Sequence, residues 1–188
     1  EQLAIEPNSA SVRNDVVEAA DSLVRRLNDY ASETKNLRVE ADRQVAQGVD
    51  AINGALERIA ELNDEISKAN ALDRPTGELE DERDRQLGTL SQWMDVSTFD
   101  RENGAIVVIG RTSDGSGTTL VDSRAMQFDH TAANALGATA EPTPLYPKSV
   151  EDADTKLGPT AGGKLGALFE VRDSTLTDFH RDIDRLAQ

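Results

Sequence analysis

His130 and His180 are the only histidines in this 188-residue chain, and cysteine is absent. A thiol nucleophile, a thiolate metal site and a disulfide framework are therefore excluded for these residues. His180 stands beside Asp182 and Asp184 on a charged helical face, and His130 lies in a weakly patterned stretch. Two surface histidines explain that spacing better than a metal site does. Carboxylates are abundant, with 35 Asp and Glu in all, but solvated helix faces account for them, and general acid–base work needs a site that no spacing here builds. Asp114-Gly115-Ser116-Gly117 lacks the third glycine, the lysine and the following helix of a phosphate cradle, so it reads as a turn. The stretch from Asp100 to Gly104 begins like a calcium loop, yet its twelfth position is Arg111 rather than glutamate. No catalytic residue, cofactor ligand or metal ligand is assigned, and no cofactor is expected.

Arg83 and Arg172 carry more information, because both fall on apolar helical faces. A guanidinium stays there only if its stem packs and its donors find carboxylates or carbonyls. Asp81, Asp84 and Asp173 are the nearby acceptors, so structural salt bridges involving Arg83, Asp84, Arg172 and Asp173 are expected. The plainer alternative is a pair of solvated helix charges, which would contribute little. Gly162, Gly163 and Gly166 would let the chain turn and let helices approach closely, where the plainer reading is a flexible linker.

These residues need elements to hold them. Pro7-Asn8-Ser9 is a helix start, and no proline follows until Pro75. Apolar or small residues at Val16, Ala20, Leu23, Leu27, Tyr30, Thr34, Leu37 and Ala41 alternate by four and three, the seam of a helix packed along another. The seam resumes at Val45, Val49, Ile52, Leu56, Ile59, Asn63 and Ile66. Two successive four-residue steps around Gly48 predict either a local unwinding of one helix of about 60 residues or a break there. A second helix runs over about 77–95, with Thr76 as its cap and Leu79, Leu87, Leu90 and Met94 on one side. Beyond Asp95 the period shortens: strands are expected near Val96–Phe99, Ala105–Ile109 and Thr118–Val121, with a fourth at Ala125–Phe128 and a turn at Asn103-Gly104. Residues 132–159 read as loop and uncertain strand. The helical period returns with Leu165, Phe169, Leu176, Phe179 and Ile183.

The expected fold is α+β and mainly α: an elongated antiparallel helical, coiled-coil stem with a small inserted β-rich domain. Residues 1–96 form the N-terminal stem with helices over about 9–70 and 77–95, residues 97–161 the insertion, and residues 162–188 the return helix. Interhelix packing falls to Leu23, Leu27, Leu37, Ile52, Leu56, Ile59, Ile66, Leu79, Leu90, Leu165, Phe169, Leu176, Phe179 and Ile183. A net charge of −15 disfavours nucleic acid and anionic membrane surfaces as partners. No apolar run reaches the roughly 20 residues that span a bilayer. Glu1 at the start and a helical period still running at Gln188 suggest a piece of a longer protein.

Three ordered stretches are similar to the flagellar hook-associated protein 1 family, the hook–filament junction proteins. Ile52-Asn53 followed by Arg58-Ile59-Ala60-Glu61-Leu62-Asn63-Asp64-Glu65-Ile66 resembles a family helix in which Ile-Asn precedes Ile-Ala-x-Leu-Asn-x-x-Ile. Gly77-Glu78-Leu79-Glu80-Asp81-Glu82-Arg83-Asp84-Arg85 resembles its Asn-Asp-Leu-Leu-Asp-Gln-Arg-Asp segment, with Glu80 and Gln86 in place of usual leucines. Gly162-Gly163-Lys164-Leu165-Gly166-Ala167-Leu168-Phe169-Glu170-Val171-Arg172-Asp173 resembles its Gly-Gly-x-Leu-Gly-Gly-Leu-Leu-x-Phe-Arg-Asp return into the stem, with Ala167 for a glycine. The resemblance implies a non-enzymatic structural subunit joining hook to filament, exported by the flagellar type III apparatus and assembled outside the cell. Its implied partners are copies of itself, the hook protein, a second hook-associated junction protein and an export chaperone. It also implies that the innermost tube layer is built from the family's chain termini, so that this stretch alone would be a monomer. The alternative is an acidic coiled-coil adapter that docks a partner's amphipathic helix.

Overall fold

The structure, a computed structural model, describes residues 10–112, 115–130, 146–147 and 159–187. The helix start read at Pro7-Asn8-Ser9 and most of the weakly patterned stretch 132–159 lie outside these residues. Helix α1 spans Ala10–Asn70 without interruption, about 90 Å at 1.5 Å per residue. No proline interrupts it, and its exposed face carries local ion pairs such as Arg43 with Glu40 and Arg58 with Glu61, which water screens.

The expected irregularity near Gly48 is absent, for a clear reason. The buried stripe runs through Thr34, Arg38, Ala41, Val45, Gly48, Ile52, Ala55, Ile59, Leu62 and Ile66, alternating by four and three throughout. It passes through Arg38 rather than Leu37, and through Gly48 itself, so the heptad register is unbroken. Glycine suits position 48 because the Trp93 ring lies against it: an added Cβ would fall 2.7 Å from a ring carbon.

α1 ends in a turn where Asp73 takes a positive φ of 51° and the Arg74 amide closes on the Ala69 carbonyl at 2.9 Å, just before Pro75. Helix α2, Gly77–Trp93, then folds back along α1. Its first turn holds Glu78 and Glu80, matching the positive end of the dipole. The Thr76 hydroxyl donates to the Glu80 carboxylate at 2.7 Å rather than capping a backbone amide. Glu80 and Gln86, set where leucine was expected, are half-buried, and Gln86 bonds Glu82 along the same face.

Strands β1 (Val96–Asp100), β2 (Ile106–Arg111) and β3 (Gly117–Val121) form an antiparallel sheet in that order. The Asn103-Gly104 turn joins the first two, with Gly104 at φ 85°. On β2, Ile106, Val108 and Gly110 are buried, the period of two expected of a strand with one face on a core. The fourth strand falls later than read: β4 is Phe128–Asp129, paired with β5 at Tyr146–Pro147, while Ala125 makes only an isolated bridge to Val121.

The chain re-enters the helical part at Ala161, whose carbonyl accepts from the Asp95 amide at 2.8 Å. Gly162 and Gly163 have φ of 72° and 56°, and a Cβ on Gly163 would meet the Trp93 main chain at 2.7 Å. This is a tight crossing and not a loose linker. Helix α3 (Gly163–Glu170), a π-helical turn (Val171–Thr175) and helix α4 (Leu176–Leu186) follow, and all three pack on α1. One core joins Val45, Ile52, Leu56 and Ile59 of α1 to Leu90 and Met94, to Val108 and Leu120 of the sheet, and to Leu165 and Phe169 of α3. The fold is mainly α with a small antiparallel sheet.

Candidate functional site

Arg172 is the centre of the joint where the returning helices meet α1. Its side chain is fully buried, and it pairs with its neighbour Asp173 by two bonds of 2.7 and 2.8 Å and with Asp42 of α1 at 2.7 Å. The guanidinium also lies 5.0 Å from the centre of the Phe169 ring, a cation–π arrangement. The π turn widens the helix here, and the Arg172 carbonyl accepts from Arg38 Nε at 2.9 Å and from the Thr177 hydroxyl at 3.4 Å. Burial by itself would lower the pKa of Arg172, but Asp173 and then Asp42 outweigh it and raise it. Arg38 is held below its ordinary value by burial, with Asp173 opposing and Arg172 adding to the effect. His130 Nε2, leaving β4, reaches the other Asp42 oxygen at 3.4 Å. Two arginines and two carboxylates thus tie residues about 130 positions apart.

A second set of joints fastens the sheet to α1 through asparagine amides. A primary amide offers one donor and one acceptor side by side, as a peptide unit does. Asn63 uses both on Ile106, donating to its carbonyl at 2.7 Å and accepting from its amide at 3.0 Å. Asn53 does the same to Phe128, with both bonds at 2.8 Å. Asn70 adds a bond of 3.0 Å to the Asn103 carbonyl. Arg83 completes the Asn63 joint: one terminal nitrogen donates to Asn63 Oδ1 at 3.3 Å and to the Gly104 carbonyl at 2.7 Å.

The expected Arg83–Asp84 bridge is therefore corrected. Asp84 is exposed, and Arg83 turns inward to a carbonyl and an amide, because two residues adjacent on a helix do not share a face. Arg172 and Asp173 do pair, since the widened turn lets the guanidinium bend back onto its neighbour. Of the residues expected in stem packing, Ile52, Leu56, Ile59, Ile66, Leu90, Leu165, Phe169 and Ile183 are buried, and Leu27, Leu79 and Leu176 are half-buried. Leu23, Leu37 and Phe179 are about half exposed. They lie beside the buried stripe, and here the structure departs from the reading. Arg38, Asp42 and Asn53 were not singled out as site residues; the signal for Arg38 was a charge at a seam position of an unbroken heptad.

Most of these groups bond one another, while Arg83 Nε and His130 Nδ1 are buried without a hydrogen-bond partner. Among the described residues no three His, Asp or Glu side chains gather as metal ligands, and no helix is long and apolar enough to cross a membrane. The cleft beside Asn63, about 340 Å³, is open and lined by Arg101 and Asp122, which pair with each other at 2.7 Å.

A long helix tied by Arg172 to the returning helices and by Asn53 and Asn63 to the strands makes a cross-braced helical stem, and that is the class of fold this chain presents. The family model of the flagellar hook-associated protein FlgK helical domain matches residues 1–188, and the chain belongs to that family. The solved flagellar hook junction protein FlgK from Burkholderia pseudomallei is similar in fold, with a TM-score of 0.70 at 24% identity over 91% of this chain. The chain spans about 30% of the length of that solved protein. Among curated proteins none matches the sequence.

Proposed function

We propose that the chain serves as a non-enzymatic subunit connecting the hook to the filament, assembling through its helical stem. In this reading residues 1–96 and 162–188 are the stem and residues 97–161 the insertion that covers its side. The antiparallel return of α3 and α4 onto α1, locked at Arg172, carries the reading, because a rod that transmits torque must resist sliding between its helices. Main-chain hydrogen bonds run along the axis, and interdigitated seams with a buried ion pair oppose shear. Copies of itself, the hook protein and a second hook-associated junction protein are the proposed neighbours. An export chaperone is the proposed partner before secretion by the flagellar type III apparatus to the cell exterior. The test is complementation of a strain that makes hooks but no filaments, using the full-length protein that carries this chain. Restored filaments are expected; bare hooks would favour the acidic adapter instead.

A further inference from the structure

We infer that the free edge of strand β1 receives an extended segment of a partner protein, basic at its ends and added to the sheet as a further strand. Among the described residues β2 is the one strand paired with β1, and Ser97, Thr98, Phe99 and Asp100 are all exposed. The opposite edge of the sheet differs, because there the Met126 amide donates to the Leu120 carbonyl at 2.7 Å. Antiparallel ladders alternate bonded with non-bonded pairs. The Arg101 amide donates to the Ala105 carbonyl at 2.8 Å, so in the register of β1 on β2 the bonded pairs are Phe99 with Val107 and Ser97 with Ile109. The amides and carbonyls of Thr98 and Asp100 therefore point away from β2, at the spacing an added strand needs. Phe99, 60% exposed, stands on the outer face with half-buried Val107 and Ile109, where side chains of the added strand find cross-strand neighbours.

Charge identifies the occupant. Asp95, Asp100 and Glu102 are exposed and form no ion pair among the described residues, whereas Arg101 is taken up by Asp122 at 2.7 Å. The edge thus presents carboxylates at both ends of a short uncharged run. Another copy fits badly there. Pairing β1 with β1 about a two-fold axis sets Asp100 of each strand beside Asp95 of the other, and each copy carries a net charge of −15. A strand of alternating valine and threonine with lysine or arginine at each end fits, provided that its basic ends lie about 20 Å apart. That is the separation of Asp95 from the Asp100 to Glu102 end at about 3.4 Å per residue.

The probe is a capped peptide, Arg-Thr-Val-Thr-Val-Thr-Lys, titrated to about 2 mM into the nitrogen-15-labelled chain and followed by NMR, a range that captures weak binding. In the free chain the Thr98 and Asp100 amides should exchange with solvent far faster than those of Ser97 and Phe99. With peptide bound they should shift, and their exchange should slow about tenfold or more. Thr98→Pro removes an outward donor without touching the β1–β2 ladder, and should weaken binding about tenfold. Asp100→Lys should move the preference about tenfold toward a peptide with glutamate at both ends, a reversal that a folding defect cannot produce. Both peptides should lose discrimination in about 0.5 M salt. Thr98 and Asp100 amides already protected in the free chain would mean that its own residues cover the edge, which overturns the inference. So does an absence of shifts on β1 at the highest peptide concentration, binding that leaves both amides unprotected, or an Asp100→Lys chain with unchanged preference.

Discussion

Arg172 lies in a fully buried position with two carboxylates as partners, so its contribution is asymmetric. Moving the charges out of water costs several kcal/mol, which the ion pairs largely offset, but deleting one partner leaves the others uncompensated. Arg172→Ala should therefore destabilise the chain by about 3–5 kcal/mol, read as a lower urea midpoint at unchanged slope, while Asp84→Ala on the exposed face should stay within about 0.5 kcal/mol. An Arg172→Ala variant as stable as the parent would mean the joint is not closed in solution. Half of this joint was legible beforehand, since Arg172 and Asp173 are neighbours in sequence. Asp42 and Arg38 were not, because their partnership exists only once α4 has returned to α1. Asn53 and Asn63 stood inside recognisable motifs, yet nothing in their spacing says that a side-chain amide will substitute for a strand.

The elements themselves were mostly readable, because helices without proline and strands with an Asn-Gly turn are local decisions. What escaped were features set by a neighbour. The π turn at Val171–Thr175 has no local signature, and Gly48 looked like a weak point although it is a seat for Trp93. In a solvated helix Gly→Ala adds about 1 kcal/mol of stability. At position 48 the new methyl would meet the Trp93 ring at 2.7 Å, an overpacking that costs about 1–3 kcal/mol. Gly48→Ala should thus be destabilising or neutral in the parent and stabilising in a Trp93→Ala background, a coupling that a double-mutant cycle isolates. Additive effects would show that the ring does not rest on the glycine. Gly163→Ala should cost more and gain no relief from Trp93→Ala, since it meets main chain at a positive φ.

The molecule as a whole is stabilised unevenly along its length. The buried stripe of α1 begins at Thr34 and ends at Ile66, where α2, the sheet and α3 all contribute to one core. Toward Ala10 the same apolar spacing continues, but Val16 and Val17 are about half exposed. The seam read through Tyr30 and Leu37 lies beside the stripe that is covered, which passes through Ala31 and Arg38, since spacing shows which residues could pack and not which of two adjacent faces a partner covers. A helical stretch of a dozen residues with little tertiary contact is marginal in water, so the first third of α1 can open locally without disturbing the core. Amide hydrogen exchange in dilute solution should show a gradient: fast exchange over residues 14–22, intermediate over 27–38, and protection near the global limit over 45–66. Each 1.4 kcal/mol of difference in opening free energy appears as a tenfold change in rate. Equal protection at both ends in dilute monomer would mean that α1 is braced along its whole length, and the apolar residues before Leu27 would then have a partner within the chain.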